Sequence, residues 1–207
     1  MTQASTYENA YKTAMFRKKP SVPGRYVVET LLPQLEFKSI LDWGCGRGRD
    51  VLYFKEQGLI CEGYDPHYSP DIPAGTFDFV MCSYVLNVIA AGSKRKQCLN
   101  ELSLKLEPDG HVLIAIRPAK EVVRNAFNFD YRKGRAMAGD YAAFHRRSVA
   151  RRKTRWNICA DGYVTTRGTF QSLLTMPALL RLIEEAGFEA IHEINNSKMV
   201  MVLAQKA

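Results

Sequence analysis

Three glycines at alternate positions and two aspartates are the residues of this sequence best suited to bind a charged ligand. Gly44, Gly46 and Gly48 follow the apolar run that contains Asp42, and Asp65 lies seventeen residues beyond the last glycine. Because glycine has no side chain, such a turn lets a ligand approach the backbone closely. An acid at the end of the next strand can accept both hydroxyl groups of a ribose. The spacing therefore predicts a cradle for a cofactor that contains a nucleoside.

The order of residues in this turn argues against a dinucleotide. The fingerprint G-x-G-x-x-G would need a glycine at position 49, where the sequence has Arg49. The carboxylate of Asp42 would repel a pyrophosphate but attract a cation. We therefore expect a cofactor that is positively charged and carries no phosphate.

The elements that position these residues alternate between strands and helices. Apolar runs predict strands, and amphipathic patterns predict helices. The predicted strands are 38–43, 59–65 and 110–118, with another in 77–89 that runs into a loop, and the predicted helices are 25–35, 49–58, 93–108 and 176–187. Pro33 is expected to interrupt the first helix. Such an alternation indicates a mostly parallel sheet with helices on both faces and a ligand site at the carboxyl ends of the strands.

The C-terminal third contains strands of a different kind. Residues 161–171 are predicted to form a strand and its exit loop. Residues 188–194 and 198–205 are two apolar segments joined by the turn sequence "NNS", which predicts an antiparallel hairpin. We expect residues 1–207 to form a single α/β domain.

Composition excludes several classes of protein. With 46% hydrophobic and 24% charged residues, the chain is typical of a globular protein rather than a disordered one. It contains no apolar run of the roughly 20 residues that cross a bilayer, and its first residues lack the apolar centre of a signal peptide. We expect a cytoplasmic protein without a membrane partner. The five cysteines form no C-x-x-C pair and the four histidines are dispersed, so no metal is expected.

Positive charge is concentrated in one segment. Residues 117–155 carry a net charge of +9, whereas the whole chain carries +8. We call residues 119–160 the basic insertion. Its candidate substrate-binding residues are Arg146, Arg147, Arg151 and Arg155, and the last three are spaced so as to form one face of a helix. They could contact the phosphates of a nucleic acid, although a run of like charge is also typical of a solvated surface.

The stretch from Ile40 to Pro118 resembles the class I S-adenosylmethionine-dependent methyltransferases. The resemblance implies a Rossmann-like α/β fold and S-adenosylmethionine as cofactor. It also implies that Asp42 and the turn with Gly44, Cys45, Gly46 and Gly48 hold the methionine part. Asp65 would hold the ribose, and Pro66 and Ser83 would complete the cofactor site.

A finer resemblance involves five motifs spread over residues 11–175, "YKTAMFRKKPSVP", "LDWGCGRGRDV", "GYDPHYSPD", "SYVLNVI" and "TRGTFQ". Together they are similar to methyltransferase-like proteins associated with DNA phosphorothioation and related defence islands. In this interpretation the N-terminal arm, residues 1–21, closes over the cofactor with Arg17 and Ser21 as polar contacts. The alternative is a basic tail without a role.

The sequence departs from the methyltransferase pattern after the second strand. Only thirteen residues separate Asp65 from Asp78, so the sheet is expected to be shortened between its second and third strands. The strand that normally supplies an acid to adenine is absent from this interval. Asp71 is the candidate replacement, and Asp78 is expected to be a structural residue at the start of the next strand.

The loop after the third strand supplies the candidate catalytic residues. Tyr84 and Asn87 are its polar groups nearest to the expected position of the sulfonium. Asn87 could orient an amine or hydroxyl but is not a base, and it could equally cap the loop. Cys82 is expected in the core rather than as a nucleophile.

These observations predict a methyltransferase that acts on a nucleic acid or a nucleotide-like substrate by in-line methyl transfer. One alternative is a small-molecule or protein methyltransferase whose basic insertion recognises an acidic substrate. Another is a cofactor-binding module of a defence system that performs no catalysis.

Overall fold

Four parallel strands form the centre of the fold in the computed structural model, which describes residues 9–127, 156–159, 161–196 and 199–207. These strands are β1 (Ser39–Trp43), β2 (Ile60–Tyr64), β3 (Phe77–Ser83) and β4 (Leu106–Ile116). An antiparallel pair, β8 (Phe188–Asn195) and β9 (Val200–Lys206), extends the sheet beyond β4. The resulting order is β2-β1-β3-β4-β9-β8. This sheet confirms the predicted fold class, including the C-terminal hairpin.

Helices cover both faces of the sheet. The helices are α1 (Val22–Tyr26), α2 (Leu32–Leu35), α3 (Arg49–Glu56), α4 (Gly92–Ser103), α5 (Ala119–Phe127) and α6 (Met176–Glu184). On one face the apolar side chains of α4 and α6 pack against the sheet, and on the other face those of α3 and of the segment preceding α2 do so. Burial on both faces explains why the central strands read as continuous apolar runs.

Pro33 does not interrupt the first helix as expected. A π-helical turn, Val27–Leu31, joins α1 to α2, and the amide of Leu32 donates to the carbonyl of Val27. Proline lacks an amide hydrogen and collides with the carbonyl of the preceding helical turn. The wider turn accommodates Pro33 without ending the helical segment.

The predicted shortening after β2 is present. Between Asp65 and Phe77 the described chain contains one isolated bridge, in which Asp65 and Ser69 exchange backbone hydrogen bonds of 2.9 and 3.0 Å. Asp78 is structural as expected, because its carboxylate accepts from the amides of Lys38 and Ser39 at 2.9 and 2.8 Å.

Two predicted boundaries were wrong. Residues 106–108 were assigned to the helix of 93–108, but Leu106 begins β4. The segment 161–171 was expected to be one strand and a loop, yet it contains two paired strands. The second sheet consists of β5 (Asn157–Cys159), β6 (Gly162–Val164) and β7 (Phe170–Ser172), all antiparallel. It packs on α5, which lies within the basic insertion, through the buried Tyr163.

A bidentate ion pair joins the second sheet to the main one. Arg95 on α4 is 3% exposed, and both of its terminal nitrogens donate to the carboxylate of Asp161, which precedes β6. Its Nε also donates to the carbonyls of Leu86 and Ile89 at 3.2 and 2.8 Å. One buried side chain therefore connects the loop after β3 to the second sheet.

Among the described helices, none is long and apolar enough to cross a membrane.

We predict that Arg95→Met lowers the free energy of unfolding by about 2–4 kcal/mol, because two buried carbonyls lose their donor and Asp161 loses its partner. The neighbouring Lys96 pairs with Glu185 at 3.5 Å on the surface, so Lys96→Met is a matched control with an expected loss of less than about 1 kcal/mol. Urea denaturation measures both. Equal losses would show that the Arg95 network does not stabilise the fold.

Candidate active site

The glycine turn between β1 and α3 has the backbone conformation that its sequence predicts. Gly44, Gly46 and Gly48 have φ values of 82°, 54° and 74°, which side chains disfavour. A Cβ atom on Gly44 would lie 2.2 Å from Cγ2 of Val85. The amides of Gly44 and Cys45 both donate to the carbonyl of Tyr64, at 2.7 and 3.0 Å. The turn is therefore fixed between the end of β2 and the loop after β3.

Backbone amides orient the carboxylate of Asp65 at the end of β2. Gly46 donates to Oδ2 at 3.1 Å, and His67 and Tyr68 donate to Oδ1 at 2.9 and 3.0 Å. A carboxylate can accept about four hydrogen bonds. Asp65 therefore retains capacity for a ligand hydroxyl while its orientation is set by the loops around it.

Asp42 lies beneath the turn with 2% of its surface exposed. No hydrogen bond within the described residues reaches its carboxylate. Burial raises the pKa of Asp42 well above its usual value, and the charges of Asp50 and Asp65 raise it further, while Arg17 opposes them. An unpartnered buried carboxylate at this position favours a cationic ligand.

A cavity of about 390 Å³ brings these groups together, and we call it the cofactor cavity. Eight of the ten residues predicted to bind the cofactor line it, namely Arg17, Asp42, Gly44, Cys45, Gly46, Asp65, Pro66 and Ser83. The Oγ of Ser83 is buried without a hydrogen-bond partner within the described residues. Gly48 shapes the turn but does not line the cavity. Asp71, the candidate adenine contact, is exposed and lies outside the lining.

Ser21 has a different role from the predicted one. Its hydroxyl accepts from the amide of Gly24 at 2.9 Å and caps α1, and its own amide donates to Oδ1 of Asp50 at 2.6 Å. Only 5% of the surface of Ser21 is exposed, and its polar groups make hydrogen bonds within the fold. Ser21 therefore does not line the cofactor cavity. Asp50, which sequence analysis missed, lines the cavity instead. Its position in the first turn of α3, after the glycines, was the available signal.

The N-terminal arm forms one wall of the cofactor cavity. Its 3₁₀ turn, Ala10–Thr13, places Tyr11 on the ring of His67 with 4.1 Å between ring centroids. The hydroxyl of Tyr68 donates to the carbonyl of Tyr11 at 3.4 Å. Arg17 lies 3.9 Å from Asp50, and its guanidinium lies 5.8 Å from the ring centre of Tyr84.

A second cavity of about 960 Å³ adjoins the first, and we call it the acceptor cavity. The two cavities share Thr13, Met15, Arg17, Tyr84 and Val88. Tyr84 lies at this boundary with a φ of 63°, and its amide donates to the carbonyl of Ala115 at 2.7 Å. A non-glycine residue in this conformation is strained. Burial raises the pKa of Tyr84, so its hydroxyl stays protonated near neutral pH and can donate a hydrogen bond.

Asn87 borders the acceptor cavity and also caps the loop. Its Oδ1 accepts from the amide of Arg117 at 3.4 Å, and its side chain is largely buried. This bond holds the loop after β3 against the end of β4. Both roles considered for Asn87 are therefore compatible with its position.

Two kinds of chemistry receive no support from the described residues. Burial and the charge of Asp42 raise the pKa of Cys45 to about 12, so its thiol is a poor nucleophile. Within these residues no group of three or more His, Cys, Asp or Glu side chains is arranged to hold a metal. Arg146, Arg147, Arg151 and Arg155, the candidate substrate-binding residues, lie outside the described part of the chain.

Comparison with known proteins identifies the family. The family described as methyltransferase domain matches residues 15–193, and the chain belongs to it. No curated protein sequence matches the chain significantly. The protein is an S-adenosylmethionine-dependent methyltransferase.

Solved structures share the fold at low sequence identity. The 1,6-didemethyltoxoflavin-N1-methyltransferase of Burkholderia thailandensis, solved with 1,6-didemethyltoxoflavin and S-adenosylhomocysteine, superposes with a TM-score of 0.58 and 17% identity, over 89% of this chain and 78% of its own. The sugar N-methyltransferase KedS8 of Streptoalloteichus has a TM-score of 0.61 and 14% identity, over 91% and 88%. A methyltransferase of Clostridium acetobutylicum has a TM-score of 0.58 and 13% identity, over 97% and 96%.

The residues of the cofactor cavity fit S-adenosylmethionine. The molecule carries a sulfonium and an ammonium group, and Asp42 presents a buried carboxylate without a hydrogen-bond donor. Asp65 would hold the ribose hydroxyls, and Ser83 offers an unpartnered hydroxyl. The volume lies within the range of about 300–1,000 Å³ that is common for small-ligand sites.

We predict that Asp42→Asn weakens S-adenosylmethionine binding by about 10- to 100-fold, the loss expected for one charge-assisted hydrogen bond. A bound cation lowers the pKa of Asp42, so wild-type affinity should rise as pH increases through the range in which this carboxyl group of the ligand-free protein loses its proton. The variant should lose this rise. Calorimetric titration over this pH range measures both, and an identical pH dependence in the two proteins would contradict the role of Asp42.

The same substitution should have the opposite effect on the stability of the ligand-free protein. Because the pKa of Asp42 is raised in the folded state, the folded protein keeps a proton that the unfolded chain releases, and stability falls as pH rises from the unfolded-state pKa to the folded-state pKa. Asp42→Asn should therefore be more stable than the wild type at neutral pH. Thermal unfolding at several pH values measures the difference.

We also predict different effects for two alanine substitutions in the turn. Gly44→Ala and Gly48→Ala both place a side chain at positive φ, which costs about 1 kcal/mol. Only the first also collides with Val85, because nothing lies within 4 Å of a Cβ on Gly48. Gly44→Ala should abolish cofactor binding, and Gly48→Ala should preserve it. Equal binding by both variants would show that contact with the loop after β3 is unimportant.

Proposed function

We propose that the chain transfers a methyl group from S-adenosylmethionine to a nitrogen or oxygen of a small polar molecule bound in the acceptor cavity. The observation that carries this proposal is the shared wall of the two cavities, with Tyr84 at their boundary. A cavity of about 960 Å³ matches the size of small-molecule sites. The toxoflavin and sugar methyltransferases, which share the fold, act on small molecules according to their names.

Glu121 is the candidate general base. It is the sole carboxylate that lines the acceptor cavity among the described residues, and no described histidine lines it. Nε of Arg117 lies 3.3 Å from Oε1 of Glu121, and another guanidinium nitrogen of Arg117 donates to Gln171 at 3.1 Å. No hydrogen bond within the described residues occupies Oε2. Arg117 therefore orients the carboxylate and leaves one oxygen able to accept a proton.

The residues at the boundary position the acceptor. When bound, S-adenosylmethionine supplies an electrophilic methyl carbon whose bond to sulfur breaks with its electrons remaining on sulfur. Tyr84 donates a hydrogen bond that orients the acceptor atom, and the arm around Thr13 and Met15 excludes water. Glu121 takes the proton that the acceptor nitrogen or oxygen loses.

In a second candidate function, the methyl acceptor is a nucleic acid, as the sequence analysis predicted. The net charge of +9 on residues 117–155 favours it. The finer resemblance to proteins associated with DNA phosphorothioation, which rests on the five sequence motifs alone, is consistent with it.

An assay with labelled S-adenosylmethionine and fractionated cell extract tests these candidates. We predict that label enters the small-molecule fraction. Label confined to DNA or RNA would replace the proposal by the second candidate, and label confined to protein would replace it by the protein methyltransferase named as an alternative in the sequence analysis.

The role of Glu121 is tested in the same assay. Glu121→Gln should reduce kcat by about 10²- to 10⁴-fold, the usual contribution of a general base, and leave cofactor affinity unchanged. The exposed Glu184 on α6 provides a matched control, since Glu184→Gln should leave kcat unchanged. An unaltered kcat in Glu121→Gln would show that water, rather than Glu121, accepts the proton that the methyl acceptor loses.

A further inference from the structure

The lining of the acceptor cavity is strongly cationic. Five basic side chains and one acidic side chain belong to it among the described residues, namely Lys12, Arg17, Arg117, Arg124 and Arg167 against Glu121. The charges that line the cofactor cavity are balanced, because Asp42, Asp50 and Asp65 are accompanied by Arg17, Arg47 and Arg49. Among the described residues, the excess of positive charge therefore belongs to the acceptor cavity.

The five cations differ in whether a carboxylate balances them. Arg117 pairs with Glu121 at 3.3 Å, and Arg17 lies 3.9 Å from Asp50. Lys12, Arg124 and Arg167 have no carboxylate within 4.0 Å among the described residues. These three side chains, which we call the rim cations, are exposed, whereas the two paired arginines are partly buried. The pairs belong to the interior of the site, and the unbalanced charge lies at its mouth.

The rim cations come from three separate elements. Lys12 lies in the arm, Arg124 on α5, and Arg167 in the turn between β6 and β7. Arg124 follows Glu121 by three residues and therefore shares its side of α5. The turn lies against the arm, because a Cβ on Gly168 would be 3.3 Å from Nδ2 of Asn9. Three non-adjacent parts of the chain thus bring like charges to one opening.

We propose that the rim cations bind an anionic group of the methyl acceptor, a phosphate or a carboxylate, while its nucleophilic atom reaches Tyr84. This inference rests on the proposed small-molecule function. Converging cations focus a positive potential, and an anion relieves their mutual repulsion. Guanidinium groups bind such oxyanions through paired hydrogen bonds. The acceptor is therefore a small anion rather than a neutral molecule.

Inorganic pyrophosphate and succinate, titrated at low ionic strength, are the probes for the two anionic groups. We expect one or both to bind the wild type. The double variant Arg124→Gln/Arg167→Gln should weaken that binding at least tenfold, the effect expected from losing a charge-assisted contact. The exposed Arg181 on α6 provides the control, since Arg181→Gln should bind like the wild type. Unchanged S-adenosylmethionine affinity shows that the double variant is folded.

Two results would overturn the inference. One is the failure of both probes to bind the wild type, and the other is equal binding by the wild type and the double variant. The labelling assay separates this inference from the proposed function. A neutral small molecule as acceptor would uphold the function and overturn the anion site. Anion binding that depends on Arg124 and Arg167, with label only in macromolecules, would uphold the site and overturn the small-molecule function.

Discussion

The carboxylate of Asp42 is buried at the end of a strand where no described hydrogen bond reaches it. Such a group is costly in an interior, and the negative charges of Asp50 and Asp65 increase the cost. A cation bound beside Asp42 would therefore offset the cost of burying its negative charge. The glycine turn leaves space above Asp42, and Asp65 is held by backbone amides at the edge of that space. Cofactor choice follows from this electrostatic constraint.

The boundary between the two cavities depends on the loop after β3. Val85 occupies the place that a side chain on Gly44 would need, and Tyr84 adopts a strained backbone conformation beside it. Asn87 ties the same loop to Arg117, and Arg95 ties it to the second sheet. The charges of the two cavities also differ, because cations predominate in the lining of the acceptor cavity, whereas carboxylates and arginines balance in that of the cofactor cavity. A methyl group on a sulfonium would meet its acceptor where these two environments adjoin.

Sequence reasoning succeeded where a local pattern carries the information. The turn from Gly44 to Gly48 and the acid at Asp65 were predictable because backbone conformation and strand ends impose residue types at fixed spacing. Ser21 was misassigned because a serine before a proline-containing helix start serves as a cap, and its partner Asp50 is distant in sequence. Arg95 and Asp161 are 66 residues apart in the sequence, and no local sequence pattern predicts that they pair. The π-helical turn Val27–Leu31 was also missed, because a proline in a helical pattern predicts a break, whereas the wider turn accommodates Pro33.

A crystal structure of the protein with S-adenosylhomocysteine tests the central claim most directly. The account predicts that the amino group of the ligand lies against Asp42, that its ribose hydroxyls reach Asp65, and that its sulfur lies at the boundary lined by Tyr84. A ligand bound with its ribose away from Asp65, or with its amino group outside the reach of Asp42, would contradict the account.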